Sequence, residues 1–273
     1  MNYKFIELNE QSQGDYRFYF TRIKNSDWDN FYESVELLDC GYYPKAYGIL
    51  KKLVTKYPEF LDAQYHISSI EEVELENYFT ALKIIIFAVK LGLNAIPPSF
   101  KFNRDIIDWH HLENRGFLRS YSKLGFEYYL LGLYEQSKII NEKIISFNPN
   151  DNIGCREVLI SIYLELNDPD KVITLCNKYE DDTTEGVLYG RAIALLMKKQ
   201  KDLAIKYLKN AIYYAPQVAE LLINKPIFNY NENNRKYLFN RLTDPAQYYV
   251  YRDYKFWKKT RNSIKLLKEL INR

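Results

Sequence analysis

Phe117–Asp151 reads FLRSYSKLGFEYYLLGLYEQSKIINEKIISFNPND, and the spacing inside it decides the fold. Counted from Phe117, Tyr121, Leu124, Gly125 and Tyr128 follow at +4, +7, +8 and +11, and Pro149 closes the stretch at +32. The apolar positions recur with a helical period, while Gly132 and Tyr134 punctuate the middle. Ser137 is a small residue where the second helix must approach the first. The stretch predicts two helices joined by a tight turn. Such a unit cannot bury its apolar face alone and stacks on neighbours of the same kind.

This order of residues resembles the tetratricopeptide repeat. The resemblance implies an all-α, helix–turn–helix solenoid that binds a partner. Working outward, repeat one covers Asp27–Glu59, with Phe31, Val35, Leu37 and Leu38 before Cys40-Gly41, then Tyr43, Ala46, Leu50 and Leu53 before Pro58. Repeat two covers Phe60–Asn94, where Ser68-Ser69 replaces Leu-Gly and Ala81, Ile85 and Ala88 keep the second helix thin. Repeat four, Asn152–Asp182, is degenerate. Repeat five, Thr184–Pro216, is regular again through Ala192, Leu195, Ala204, Leu208 and Ala211.

The expected organisation is therefore repeats one and two over 27–94, an insertion over 95–116, repeats three to five over 117–216, and a helical cap over 217–273. Within the insertion, Pro97-Pro98 breaks the rhythm and helix is expected to resume over Asp105–Arg115. Residues 1–26 lie outside the repeat. Their alternating patches, Lys4–Leu8 and Tyr16–Phe20, fit either a small hairpin or an irregular cap over the first helix pair. Toward the other end come a helical piece at Val218–Ile223, an Asn-rich loop at Asn229–Asn234, a helix capped by Asp244 with Pro245 in its first turn, and a final helix from Phe256 to Ile271.

From Val172 onward, Lys178–Asp182, Tyr189 with Ala192, Ala211–Leu222, and Ala246, Tyr248 and Trp257 ahead of a Leu-rich helix are similar to the C-terminal part of the suppressor-of-tumorigenicity-7 family. That resemblance implies a helical protein without catalytic chemistry. The membrane association of that family is not carried over. The longest apolar run, near Ile84–Val89, stops at Lys90, short of the roughly 20 residues a span needs.

Composition narrows the classes. With 273 residues and a 47% hydrophobic share the chain can bury a sizeable core. The 26 tyrosines suit helix–helix packing, where the ring fills a gap and the hydroxyl finds water or a partner. Net charge is only +3, but Arg252–Arg273 carries eight Lys/Arg against Asp253 and Glu269, a local +6; the remaining thirty cations face thirty-three acids, or −3. Cys40, Cys155 and Cys176 are scattered and odd in number, which fits a reducing compartment rather than a disulfide framework. The first residues show no apolar leader core, so the expected location is the cytoplasm.

No chemistry-bearing motif emerges. GxSxG, GxGxxG and the phosphate loop are missing from the sequence. His110-His111 invites a metal reading, but neighbouring positions on a helix point about 100° apart and no cysteine is near. The carboxylate pairs Glu71-Glu72 and Asp181-Asp182 read as surface loops. We expect no enzyme and no cofactor.

Binding residues follow from the repeat register. First-helix positions that face the concave side of such arrays are Arg119, Ser122, Lys123, Phe126 and Tyr129 in repeat three, and Arg156, Ile160 and Tyr163 in repeat four. Arg115, Arg119 and Lys123 succeed one another by one helical turn, a row suited to a carboxylate or an acidic peptide. The expected peptide contacts are Arg115, Arg119, Lys123, Tyr129 and Arg156. The alternative is an adaptor for nucleic acid or an anionic membrane surface through a basic amphipathic helix carrying Lys258, Lys259, Arg261, Lys265 and Lys268.

Overall fold

The computed structural model describes residues 3–7, 14–20, 22–224 and 244–272. It is built from helix pairs, as the spacing predicts, and divides into two compact units, Met1–Cys155 and Arg156–Arg273. The Asn-rich loop expected at Asn229–Asn234 lies outside the described residues.

Among the described residues the first unit holds three helix pairs: α1 (Asn25–Asp39) with α2 (Tyr43–Lys56), α3 (Leu61–Val73) with α4 (Tyr78–Ala95), and α5 (Leu112–Leu130) with α6 (Tyr134–Phe147). Pro44 starts α2, where its missing N–H is no loss. The Asn77 side chain caps α4 by accepting from Thr80 N. Gly41 and Gly132 take the left-handed conformation that turns α1 into α2 and α5 into α6. The two small residues of the repeat meet as expected: Ser137 is fully buried and donates to the Gly125 carbonyl at 2.6 Å. Closer still is the approach of α5 to α3, where a Cβ on Gly116 would stand 2.4 Å from the Asp62 amide nitrogen.

Beside these helices lies a small sheet. β1 (Tyr3–Glu7) and β2 (Asp15–Phe20) form an antiparallel hairpin, and β3 (Ile106–Ile107) pairs with β2 in parallel. Of the two readings for residues 1–26, the structure has the hairpin. It packs on α4 and α5, and Phe20 at the end of β2 also meets Trp28 of α1. Asn114, fully buried on α5, holds the strands in place. Its Oδ1 accepts from Phe18 N at 3.0 Å, and its Nδ2 donates to the Tyr16 and Asp108 carbonyls at 3.0 and 2.9 Å. Phe18 packs toward Phe117, and Phe100 closes over Phe5 and Tyr16.

The insertion thus supplies the third strand of the sheet. Helix begins at Leu112, not at Asp105, because Ile106-Ile107 is drawn out as an edge strand. Asp105 is buried before it and accepts from the Arg104 guanidinium and from Lys101 N, which hold its carboxyl below the usual range against the cost of burial.

α4 is 18 residues long with mean hydropathy 1.5, so by length and composition alone it could cross a bilayer. Its apolar character does not stop at Lys90, because that residue sits on the outer face of a helix that continues past it. Ala81, Ile85, Ala88, Val89 and Gly92 are buried, and α4 packs on α3 and α5.

The second unit comprises most of α7 (Cys155–Glu165), then α8 (Pro169–Lys178), α9 (Glu185–Met197), α10 (Lys201–Tyr214), α11 (Pro216–Ile223), α12 (Pro245–Lys259) and α13 (Ser263–Ile271). Asp168 and Asp244 cap α8 and α12, each with proline next in line. The expected single helix from Phe256 to Ile271 is two helices, broken at Thr260–Asn262, with Asn262 left-handed at φ 62°. Trp257 lies in the last turn of α12, just before the break. It is fully buried and donates from Nε1 to the Tyr249 hydroxyl at 2.9 Å. Nearby, buried Asp253 accepts from Arg252 and, at 2.6 Å, from the Ser161 hydroxyl.

Candidate interaction surfaces

In the first unit the inner helices α3 and α5 present charged and aromatic groups together. Arg119 donates from Nη1 to both Asp62 carboxylate oxygens, at 2.8 and 3.1 Å. Its guanidinium also lies 5.3 Å from the Trp109 ring centre and 6.0 Å from that of Tyr65. Arg115 covers the same indole at 5.0 Å and donates from Nε to the Trp109 carbonyl. The loop before α5 therefore delivers an indole onto two cations one turn apart, each such contact contributing about 0.5–2 kcal/mol. Arg115, Arg119, Trp109 and Tyr65 are all half-buried. Tyr32 is exposed beside them; partial burial pushes its phenol up, and the charges of Asp62 and Glu113 add to the shift. His66 stands against Tyr65 and Phe31, and burial holds its imidazole below the ordinary value, opposed by Asp62 and reinforced by Arg119.

The remaining expected contacts sit elsewhere. Lys123 is not presented to solvent. It is buried between α3 and α5 and ion-paired with Glu72, the two side chains being 6% and 2% exposed. Tyr129 is likewise buried, its ring packed near Phe126 and Tyr134. Both positions fall where α5 packs against α3 and α6, so the fold buries them. Arg156 belongs to the second unit, where it bonds Asp182 and lies 5.2 Å from the Tyr179 ring.

Glu71-Glu72 is not a surface loop but part of the buried face of α3. Glu71 accepts from the Tyr47 hydroxyl at 2.5 Å, which with burial pushes that phenol up to about 12. His110 and His111 precede α5 and face Asp108 and Asp15 at 2.7 and 3.1 Å. Among the described residues no group of His, Cys, Asp and Glu could hold a metal ion. Cys40, Cys155 and Cys176 form no disulfide, and burial pushes the Cys176 thiol up to about 12, which leaves it unreactive.

The second unit carries a groove of about 930 Å³ where three helix-to-helix turns converge. Glu165 and Asn167 come from the turn after α7, Met197, Lys199 and Lys201 from that after α9, and Lys259, Arg261 and Lys265 from around the break between α12 and α13. The floor is apolar: Leu164, Phe256 and Leu266 are buried, and Leu196 and Met197 half-buried. Three of the five expected anion contacts thus gather here. Lys258 and Lys268 do not line the groove. Sequence reasoning missed Lys199 and Lys201, which come close only through the fold.

These features define the class: an all-α helical-repeat protein. The family follows from comparison. A model described as Tcf25, transcriptional repressor TCF25, matches residues 45–272, and the chain belongs to that family. Among curated proteins none matches the sequence. Solved structures of similar fold include the TPR-like repeats of a putative kinesin light chain from Podosopora anserina (12% identity, TM-score 0.48, covering 69% of this chain and 94% of that one). A single-residue variant of those repeats gives 11% identity and a TM-score of 0.49, covering 73% of this chain and 100% of that one. A thermophilic TPR protein of Thermus thermophilus gives 16% and 0.40, with 72% and 96% covered.

The family match includes the whole stretch that is similar to the suppressor-of-tumorigenicity-7 family and assigns it to Tcf25 instead. The reason is visible in the core. Tyr189, Ala192, Ala211, Ala246 and Trp257 are all buried, so their spacing reports helix packing that unrelated arrays share.

Proposed function

We propose that this chain is a non-catalytic interaction scaffold that holds a protein or peptide partner on the inner face of its first unit. The observation that carries the reading is the half-buried Trp109 under two guanidiniums, next to Tyr65 and Asp62. Indole and guanidinium groups are the side chains that most often dominate protein interfaces, and here intramolecular contacts hold them in place before any partner arrives. Arg115 and Arg119 are the proposed contacts. Lys123 and Tyr129 support α5 from behind, and Arg156 serves the second unit. Asp62 already neutralises part of Arg119, so the partner surface is a mixed polar and aromatic one, with an acidic group directed at Arg115.

The family's description as a transcriptional repressor fits a scaffold that acts by recruiting other proteins. The free thiols fit a reducing compartment, and the cytoplasm remains the proposed location.

The test is capture from native lysate with the wild-type chain, Trp109→Ala and Arg115→Glu, read by mass spectrometry, with circular dichroism as the folding control. The reading expects a protein retained by wild type and reduced at least about tenfold by both folded variants, the loss that truncating an interface anchor brings. Equal recovery by all three would overturn it.

A further inference from the structure

We infer that the groove of the second unit is a binding site for an acidic peptide segment with an apolar anchor. It is separate from the face of the first unit and stands or falls independently. Five cations rim the groove: Lys199, Lys201, Lys259, Arg261 and Lys265. All five are exposed or half-exposed, and none has an ion-pair partner among the described residues. Two carboxylates share the lining. Glu165 is already paired with Lys255, which leaves Glu269 as the acid still open on the rim.

Helix ends do not account for the charge. α7, α9 and α12 finish at the groove with their negative ends, but α8, α10 and α13 begin there with their positive ends, so the dipoles largely offset each other. Among the described residues the surplus of cations is left without an ion-pair counterpart.

The shape selects the occupant. A lipid surface meets protruding apolar groups, whereas here half-buried Leu196 and Met197 line a concavity together with charged side chains. Single-stranded nucleic acid needs exposed aromatic faces to stack its bases; the aromatic side chain in the lining, Phe256, is buried. A peptide fits both parts: aspartate or glutamate side chains against the rim, and a Leu or Phe against Leu196 and the adaptable thioether of Met197. Left-handed turn residues Asn167, Lys199 and Asn262 fix the three turns that form the walls.

The experiment is fluorescence polarisation of the full chain with a labelled peptide alternating Glu with Leu and Phe. Its Gln-for-Glu counterpart, a poly-Glu peptide, a single-stranded RNA and vesicles of mixed zwitterionic and anionic lipid are the comparisons. We expect the Glu/Leu/Phe peptide to bind, both peptide counterparts to bind at least about tenfold more weakly, and affinity to fall with salt. Lys199→Glu/Arg261→Glu/Lys265→Glu, confined to the rim, should lose at least about tenfold, because like charges now face the ligand, whereas Lys52→Glu, an exposed charge reversal on α2 of the first unit, should leave binding unchanged. No binding at low salt, equal binding by the triple variant, or tighter binding of RNA or vesicles would each overturn the inference.

Discussion

Removing the ammonium of Lys123 tests how the first unit uses its charges. The pair with Glu72 is almost wholly out of water, and the second Glu72 oxygen is buried without a hydrogen bond. Lys123→Met keeps the length and apolar stem of the side chain but strands a buried carboxylate. Breaking such a pair from one side costs about 3–5 kcal/mol. Against a typical total of about 5–15 kcal/mol, that is a large loss. Glu72→Met, which takes this carboxylate from the buried ammonium, should also destabilise the unit. The double variant Lys123→Met/Glu72→Met replaces the pair with packed apolar side chains, and such replacements are neutral or stabilising by about 1–4 kcal/mol. The cycle therefore predicts a double variant more stable than either single one by about 3 kcal/mol or more. Urea titration followed by circular dichroism gives the energies, and hydrogen exchange of α3 and α5 peptides locates the loss in the first unit. A single-variant cost below about 1 kcal/mol, with no coupling, is the size of a solvated surface pair. It would show Lys123 free for a ligand and would refute the reasoning.

Three further outcomes follow from the same unit. Gly116→Ala gains helix propensity, about 1 kcal/mol, but drives a methyl into the Asp62 backbone; overpacking costs about 1–3 kcal/mol, so a net loss in urea titration is expected and a gain would refute the close approach. Asn114→Ala removes three buried hydrogen bonds, from Phe18 N and to the Tyr16 and Asp108 carbonyls, and should cost about 3 kcal/mol or more, with exchange protection lost first in β2. Burial holds the folded His66 below its ordinary value of about 6.5, so the unfolded chain binds more protons in the window beneath that value. Its contribution is complete above about pH 6.5 and is lost as pH falls toward the folded pKa; His66→Gln should flatten the stability profile there, and an unchanged slope would contradict the assignment.

The helix pairs were legible because the repeat writes its packing into local spacing: Gly125, Ser137 and the alanines of α4 and α10 are small where axes cross. The hairpin was legible as one of two options from period-two alternation. β3 was not, since two isoleucines shortly before a Trp-His-His run carry no strand period of their own. The break at Thr260–Asn262 was hidden by an amphipathic period that continues through it, although Asn262-Ser263 is a turn-and-cap signal. The candidate sites were only half legible. Arg119 and Lys123 were found by register, but what they meet, Asp62 and Glu72, lies 57 and 51 residues away. Whether a cation is offered to a partner or consumed by the fold depends on such distant acids. Lys199 and Lys201 show the converse, charges that gain meaning only where three turns meet.

The sheet imposes an order on synthesis. β2 must find β3 and Asn114, and its bonds to Asn114 span 96 and 98 residues. The helix pairs α1–α2 and α3–α4 close over short distances and lie wholly ahead of that partner in the chain. Pairing over long separations is slow, and an unpaired strand edge is sticky while it waits. The hairpin is therefore made well before its partners and is seated only once they are available. Its edge is open to other chains through that interval, and a mutation in the distant insertion would be felt as aggregation through the hairpin.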